Sequence, residues 1–450
     1  MIIAKEAVLN AMKKKNISTQ TELAERLGMN KSQLSQMLSD NFCPIKTNVM
    51  KLIEILDVNL NGIIENEHRN SMMALETQSS YLQVELFDDI TDRFSYQLNA
   101  YEDVQGVQAK RSYNLVETFA GAGGLSIGLE LAGLHTIANI ELDKAACSTL
   151  KLNRPHWNII EGDINEIAAN GIYNHPQFTF KGEIDVLSGG YPCQSFSYAG
   201  LRHGLEDVRG TLFHPFSQLL NQLKPKIFIA ENVKGLVNHD NGNTLDTMIK
   251  MFEQSGYQVV WNILNAWDYS VAQKRERIVI IGIRDDLIEQ QQYEYKFPKP
   301  HEYKPVLRDI LMDSPESEGS TYPESKKKVL NLVPPGGCWV NLPEEIAKEY
   351  MGASYHSGGG RRGMARRLSW DEPSLTLTTS PQQKQTERCH PEETRPFTVR
   401  EYARIQSFPD DWKFCGSLGN QYKQIGNAVP INLAKAIGQS VINYLNKNNL

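Results

Sequence analysis

A short apolar run, Leu115-Val116-Glu117-Thr118, passes directly into Phe119-Ala120-Gly121-Ala122-Gly123-Gly124 and then into the amphipathic stretch from Leu125 to Leu134. Strand, glycine-rich turn and helix in that order point to a parallel α/β sheet with a ligand cradle at the strand's carboxyl end. The spacing argues against a dinucleotide, because G-x-G-x-x-G needs glycine at position 126 and Ser126 stands there. A pyrophosphate site is thus disfavoured. Glu141 lies about 20 residues beyond Gly121, at the end of the apolar segment Thr136 to Ile140, where such folds keep the acid that accepts from ribose hydroxyls. Asp163 follows the next probable strand, Ile159-Ile160-Glu161-Gly162, and can accept from an exocyclic adenine amine. S-adenosylmethionine, which carries ribose and adenine but no pyrophosphate, fits all three features.

A second strand, Ile184-Asp185-Val186-Leu187, runs into Gly189-Gly190-Tyr191-Pro192-Cys193-Gln194-Ser195-Phe196-Ser197. Glycine and proline turn the backbone sharply at the strand end, which places the Cys193 thiol towards a cleft as a candidate nucleophile. The plainer alternative for a single cysteine is a small buried apolar side chain.

Further blocks follow along the chain: Glu231-Asn232-Val233 after the strand Ile227-Phe228-Ile229-Ala230, then Gln273-Lys274-Arg275-Glu276-Arg277. Arg400-Glu401 through Arg404-Ile405-Gln406 to Phe408-Pro409 comes next, and Gln421-Tyr422-Lys423-Gln424-Ile425-Gly426-Asn427-Ala428-Val429-Pro430 closes the series. With the two turns they resemble, in motif order from residue 113 to 445, the DNA (cytosine-5) methyltransferase family. The resemblance implies a doubly wound, Rossmann-like α/β methyltransferase domain with a smaller target-recognition lobe, S-adenosylmethionine as cofactor and double-stranded DNA as partner. It implies no metal.

In such an enzyme Cys193 adds to cytosine carbon 6, and Glu231 supplies a proton to ring nitrogen 3. Arg275, with Arg277, stands by the reacting base near the thiol. Cofactor contacts fall to Phe119, Gly121, Gly123, Gly124, Glu141, Asp163, Ile164, Pro192, Asn427 and Ala428. The Asn427 segment is expected to return to the first glycine turn and close the cofactor pocket. Asp207-Val208-Arg209-Gly210-Thr211-Leu212-Phe213 resembles the loop that closes over an extruded base, with Arg209 towards DNA. Two positions depart from the pattern: Tyr191 stands where many members carry Pro or Phe, and Leu142 where some place an aromatic against adenine. Plainer readings remain beside these roles: a capping or solvated acid for Glu231, a solvated charge run for Arg275 and Arg277, and turn chemistry for Asn427. The Arg400 to Phe408 block reads as an amphipathic helix with a structural role.

Residues 113–289 and 396–450 are expected to form the catalytic domain around a target-recognition region at 290–395. That region is irregular, with Pro334-Pro335-Gly336-Gly337, Gly358-Gly359-Gly360 and the basic cluster Arg361, Arg362, Arg366 and Arg367. Such arginines can hold phosphates or read guanine edges, and Arg361 and Arg362 are the candidates for DNA contact. Ala365 through Thr378 is itself family-like, so the specificity-bearing part falls nearer 300–364.

Residues 1–67 read as a separate small all-α domain. Thr19 to Leu27, Gly28, then Asn30 to Leu38 have helix-turn-helix spacing, flanked by helical patterns at Ala4 to Lys15 and Thr47 to Leu56. Leu23, Ala24, Leu27, Met29, Leu34 and Leu38 face inwards, which leaves Lys31, Ser32, Gln33 and Gln36 exposed on a helix suited to a major groove. The segment resembles phage-repressor helix-turn-helix domains; a helical interaction module is the alternative. Residues 68–112, rich in Gln and Ser, read as a linker.

The chain has 450 residues, 40% of them hydrophobic, enough for two or three cores, and no transmembrane pattern. Its opening, Met1-Ile2-Ile3-Ala4-Lys5, lacks a leader pattern, and six cysteines without C-x-x-C pairs signal neither zinc nor a disulfide framework. A reducing cytoplasm is the expected location. The net charge of −6 does not oppose DNA binding, which depends on where basic residues lie. The function expected is that of a modification enzyme acting as a monomer beside a cognate restriction nuclease, with a helix-turn-helix arm that represses transcription. Two alternatives stay open from sequence: a transfer-RNA cytosine methyltransferase, and a DNA-binding regulator with an inactive methyltransferase body.

Overall fold

The protein's structure is a computed structural model that describes residues 5–15, 17, 19–27, 34, 38, 52–53, 55–56, 58, 100–192, 211–356 and 363–450. The chain divides into two compact units, Met1–Phe94 and Ser95–Leu450. In the first, helices α1 (Lys5–Lys14) and α2 (Gln20–Leu27) match the expected positions. Thr19 starts α2 by accepting the Glu22 amide at 3.1 Å. Val8, Ala11, Met12, Leu23, Ala24, Leu27, Leu34, Leu38, Leu52 and Leu56 close one apolar core, which holds five of the six residues expected inside. Met29, Asn30 and the candidate groove-facing residues Lys31, Ser32, Gln33 and Gln36 lie outside the described residues.

The second unit is built on a seven-stranded sheet. Its strands are β1 (Tyr113–Thr118), β2 (Leu134–Glu141), β3 (Ile159–Glu161), β4 (Val186–Gly189), β5 (Ile227–Val233), β6 (Tyr257–Asn265) and β7 (Glu276–Arg284). They lie in the order β3-β2-β1-β4-β5-β7-β6; β1 to β5 are parallel, and β7 runs antiparallel to both its neighbours. Alternate residues feed opposite layers. Leu115, Ile227, Ile229, Val279 and Ile281 enter one core, and Val116, Phe228, Ala230, Ile278 and Ile280 the other.

Helices α3 (Gly124–Ala132), α4 (Lys144–Asn153), α5 (Ile164–Asn170), α6 (Phe213–Leu223) and α7 (Asn243–Gln254) follow the strands. Between β7 and the chain's end come α8 (Leu307–Leu311), α9 (Glu324–Leu330), α10 (Glu344–Met351), α11 (Val399–Ile405), α12 (Leu418–Asn427) and α13 (Ile431–Lys447). Helix α13 crosses α3 at very close range: a Cβ on Gly128 would lie 2.4 Å from Ala434, and one on Gly438 would lie 2.7 Å from Ala132.

The variable region is not uniform. Tyr322, Leu330, Val333, Leu342, Ala347, Ala365 and Cys389 form a small core of their own, whereas Leu307, Leu311, Leu368 and Leu377 pack with Tyr402, Trp412 and Tyr422. Residues at the end of the expected linker lie on the catalytic body. Tyr101-Glu102 pairs in parallel with Phe297-Pro298, Lys110 bonds Asn446, and Arg111 bonds Asp185. No helix among the described residues is long and apolar enough to cross a membrane.

Candidate active site

The sheet order changes direction between β1 and β4, and the candidate residues gather at the carboxyl ends of the parallel strands on either side of that point. Beyond β1, Phe119 (φ +56°), Gly121 (φ +55°) and Gly123 (φ +87°) turn the chain through left-handed conformations. The glycines serve different ends. A Cβ on Gly123 would lie 2.8 Å from Leu150, and one on Gly124 only 2.4 Å from the Val429 carbonyl and 3.0 Å from Ala428. A Cβ on Gly121 would meet nothing nearer than a turn oxygen at 4.0 Å, so that side of its Cα borders open space. The segment after Asn427 thus closes on the first turn, as expected.

At the end of β2 the Glu141 carboxylate accepts three backbone amides: Gly121 at 2.7 Å, Leu142 at 2.8 Å and Asp143 at 2.7 Å. That fixes an acid beside the glycine turn, and Leu142 next to it is 63% exposed. Glu161 of β3 pairs with Glu141, and Asp163 two residues later caps α5 by accepting the Asn165 amide at 2.8 Å. Both of its bonds, to the Asn165 amide and side chain, use Oδ1. Ile164 points into the core, so its side chain is committed to packing. Asn427 is the exposed last residue of α12 rather than part of an isolated turn. The chemistry of these residues fits an S-adenosyl cofactor: open space beside Gly121, and fixed carboxylates that can accept from hydroxyl and amine donors.

The catalytic candidates meet at the ends of β4 and β5. Glu231 is buried, and its Oε1 accepts from Arg277 Nε at 2.8 Å. Burial pushes its carboxyl pKa above the ordinary value, against the opposing charges of Arg277 and Arg275. A Cβ on Gly190 would stand 2.9 Å from Glu231 Oε2, so the turn leading to Pro192 abuts this carboxyl. Arg277 reaches Glu231 because β5 and β7 pair with Glu231 opposite Val279 and Val233 opposite Arg277.

The two arginines divide their work. Arg275 turns to carbonyls, donating from Nη1 to Leu377 at 3.1 Å and from Nη2 to Gly426 at 3.0 Å. It ties the segment just before β7 to the variable region and to α12, while Arg277 serves the carboxyl. Gln273 and Gln406 make a second tie: Gln273 Nε2 donates to Gln406 Oε1 at 2.9 Å, and Gln406 Nε2 donates to the Ile425 carbonyl at 2.8 Å.

The profile of the C-5 cytosine-specific DNA methylases matches residues 113–443, and a helix-turn-helix profile matches residues 9–63. The chain belongs to the C-5 cytosine-specific DNA methylase family. This methylase is 58% identical over 449 residues to the Type II methyltransferase M.Sau96I of Staphylococcus aureus, with 100% of each chain covered. It is 51% identical over 374 residues to the Type II methyltransferase M.PspPI of a Psychrobacter strain, covering 81% of this chain and 86% of that one. Its fold matches the crystal structure of an Escherichia coli prophage protein described as a DNA modification methyltransferase, with a TM-score of 0.55 at 24% identity, over 74% of this chain and 100% of that one. The family makes the methylase an S-adenosylmethionine-dependent enzyme with DNA as its partner.

Cys193, Arg209, Arg361 and Arg362 of the methylase lie outside the described residues. The other two arginines of the basic cluster are engaged within the fold. Arg367 donates to the carbonyls of Val333, Leu330 and His390 and to Thr394; Arg366 donates to the Gly336 carbonyl and to Glu372. The Arg400 block is structural, as expected: Arg400 bonds the carbonyls of Pro409 and Trp412, and Arg404 bonds Asp410 and Asp313. Two residues the sequence left without a role also belong to the site, Gly190 against Glu231 and Asn232 on Tyr191. Their sequence signal is that they stand inside the quoted blocks, next to Tyr191 and Glu231.

Proposed function

We propose that the methylase modifies carbon 5 of a cytosine in a specific duplex site through a covalent Cys193 adduct. Cytosine carbon 5 is a poor nucleophile, so electrons must first be pushed into the ring. The Cys193 thiolate bonds carbon 6 while Glu231 gives its proton to nitrogen 3, which leaves a neutral enamine. Carbon 5 then forms the new carbon–carbon bond, the cofactor supplying the methyl as an electrophilic sulfonium substituent. Loss of the carbon 5 proton to a base drives out the Cys193 thiolate, and the proton on nitrogen 3 returns to Glu231. Arg277 orients the Glu231 carboxyl throughout. Glu141 accepts from the ribose hydroxyls, Asp163 from the adenine amine, and the Phe119 to Gly124 turn and Ala428 line the pocket.

The observation that carries this reading is the meeting of the Gly190 to Pro192 turn with the buried Glu231–Arg277 pair, 2.9 Å separating a Cβ position on Gly190 from Glu231 Oε2. A buried acid whose pKa is pushed upwards by burial suits proton donation. The target base enters the cleft by extrusion. Sequence is read by residues within 290–395, nearest 300–364, and Arg209, Arg361 and Arg362 face DNA. In the cell the enzyme acts as a monomer in the cytoplasm and protects DNA beside a cognate nuclease. Its N-terminal unit, through Lys31, Ser32, Gln33 and Gln36, represses its own operon or that of the nuclease.

Labelled methyl transfer to unmethylated plasmid, with bulk transfer RNA in parallel and Cys193→Ala as control, tests the chemistry. Label in DNA that vanishes in the control is expected; label in RNA alone, or in neither, overturns the reading. A reporter fused to the upstream region tests repression, and indifference to deletion of residues 1–67 would sink it.

A further inference from the structure

The ladder between β4 and β5 ends at the pair Gly189 and Ala230. Beyond it the two chains stay together for two more residues without backbone pairing. Gly190 lies against Glu231, leaving no room for a Cβ 2.9 Å from Oε2. Tyr191 is then gripped by Asn232, whose Nδ2 donates to the Tyr191 carbonyl at 2.9 Å while its Oδ1 accepts the Val233 amide at 2.8 Å. Asn232 is itself buried, at 2% exposure, and held in register opposite Ile278 of β7.

The other side of Tyr191 is equally fixed. Its ring packs edge-on to Phe119 at 6.4 Å and Phe213 at 5.7 Å, and tilted to Phe216 at 5.5 Å. Ring and carbonyl therefore anchor the last residue before Pro192-Cys193 from two directions. The ring faces the cofactor turn, and the carbonyl faces the strand that carries Glu231. A side-chain amide takes over where the sheet ladder stops, so on the Glu231 side the start of the nucleophile's turn is tied by the Asn232 hydrogen bond.

We propose that Asn232 is a positioning residue for methyl transfer, its Nδ2 bond to the Tyr191 carbonyl setting the entry of the Cys193 turn relative to Glu231. This rests on the cysteine-adduct reading above. Asn232 touches neither base nor cofactor in this role; it acts through Tyr191 and Glu231, its neighbours along two chains. Small displacements of a reacting group are costly, on the order of a hundredfold for about 1 Å.

The test uses full-length Asn232→Asp, which keeps the shape but loses the donor, and Asn232→Ala. Three quantities are measured: kcat and KM for methyl transfer to plasmid DNA, the rate of covalent trapping on duplex DNA containing 5-fluorocytosine, and S-adenosylmethionine affinity by calorimetry with melting temperature. The expected result is a fall in kcat and in trapping rate of about ten- to hundredfold in both variants, with cofactor affinity and KM close to the parent and melting temperature lowered only by the loss of one buried hydrogen bond. Parent-like kcat and trapping in Asn232→Asp would overturn the proposal. So would a joint loss of melting temperature and cofactor affinity in both variants, which would make Asn232 a residue of the fold alone. A parent enzyme that transfers methyl but is never trapped would defeat the adduct reading instead, so the two failures are distinguishable.

Discussion

Glu231 is held between burial, which favours its neutral form, and two arginines, which favour the charged one. A group that must give a proton to the base is useful while protonated, so activity should fall as pH rises through its pKa. Arg277→Gln removes the nearer positive charge and the Nε bond, so the Glu231 pKa should rise further. The expected outcome is a lower kcat with its alkaline limb moved to higher pH, read from kcat–pH profiles of the two enzymes. An unmoved or lowered limb would detach Arg277 from Glu231. Glu231→Gln keeps the shape and should cost about 10²–10⁴-fold in methyl transfer while S-adenosylmethionine still binds.

A second carboxyl at this scale serves the fold. Glu117 in β1 is buried with Ser188 Oγ donating to it at 3.3 Å, and burial raises its pKa from 4.5 to about 8. The folded state therefore holds a proton that the unfolded chain releases from about pH 4.5 upwards. The stability this provides is complete below that value and is lost as pH climbs to about 8. Glu117→Gln stays neutral throughout, so its stability relative to the parent should rise between those limits. Urea unfolding at pH 5 and pH 8.5 measures it, and a difference independent of pH would reject the buried proton.

At the scale of elements, the strands on the parallel side were legible because each apolar run ends in a glycine or an acid. β1 ends at the Phe119 turn, β2 at Glu141, and β4 at Gly189, the strand ends that the sequence pattern marks. Strand direction was not legible. β7 is as apolar as β5, and nothing in Ile278-Val279-Ile280-Ile281 says that it inserts antiparallel between β5 and β6. The separate duties of Arg275 and Arg277 follow from that insertion, since their partners, Leu377, Gly426 and Glu231, lie far away in sequence. The role of Arg367 within the basic cluster was hidden for the same reason: its carbonyl partners are visible only once the lobe is folded.

The crossing of α3 and α13 is the element contact most sensitive to volume. Gly128 leaves no space for a Cβ, with the Ile431 carbonyl as well as Ala434 at 2.4 Å. Gly128→Val should therefore separate the helices and destabilise the protein by about 1–3 kcal/mol, measured by urea denaturation. The same shift would lift Val429 from Gly124, so cofactor affinity should weaken alongside. Unchanged affinity in a destabilised variant would show that the pocket is insulated from the crossing.

At the scale of the whole molecule, each apolar core among the described residues draws on one unit. Val8 through Val58 supply the first, and the large sheet layers and the lobe use residues beyond 100. The second unit contains every described residue of the methyl-transfer site, and Tyr101, Lys110 and Arg111 already bind it to its own carboxyl-terminal helix and sheet. Separate cores imply separable stability. A chain beginning at Ser95 should therefore fold, melt cooperatively and methylate the same plasmid sites as the full chain, with repression of the reporter lost. Bisulfite sequencing and the reporter assay on that one truncation decide between two architectures. Preserved sites with lost repression mean an enzyme carrying an independent regulator. Lost or altered methylation would mean that the helix-turn-helix unit takes part in finding the target cytosine, because the truncation leaves the Glu231–Arg277 pair and the Gly121–Glu141 cradle within an intact core.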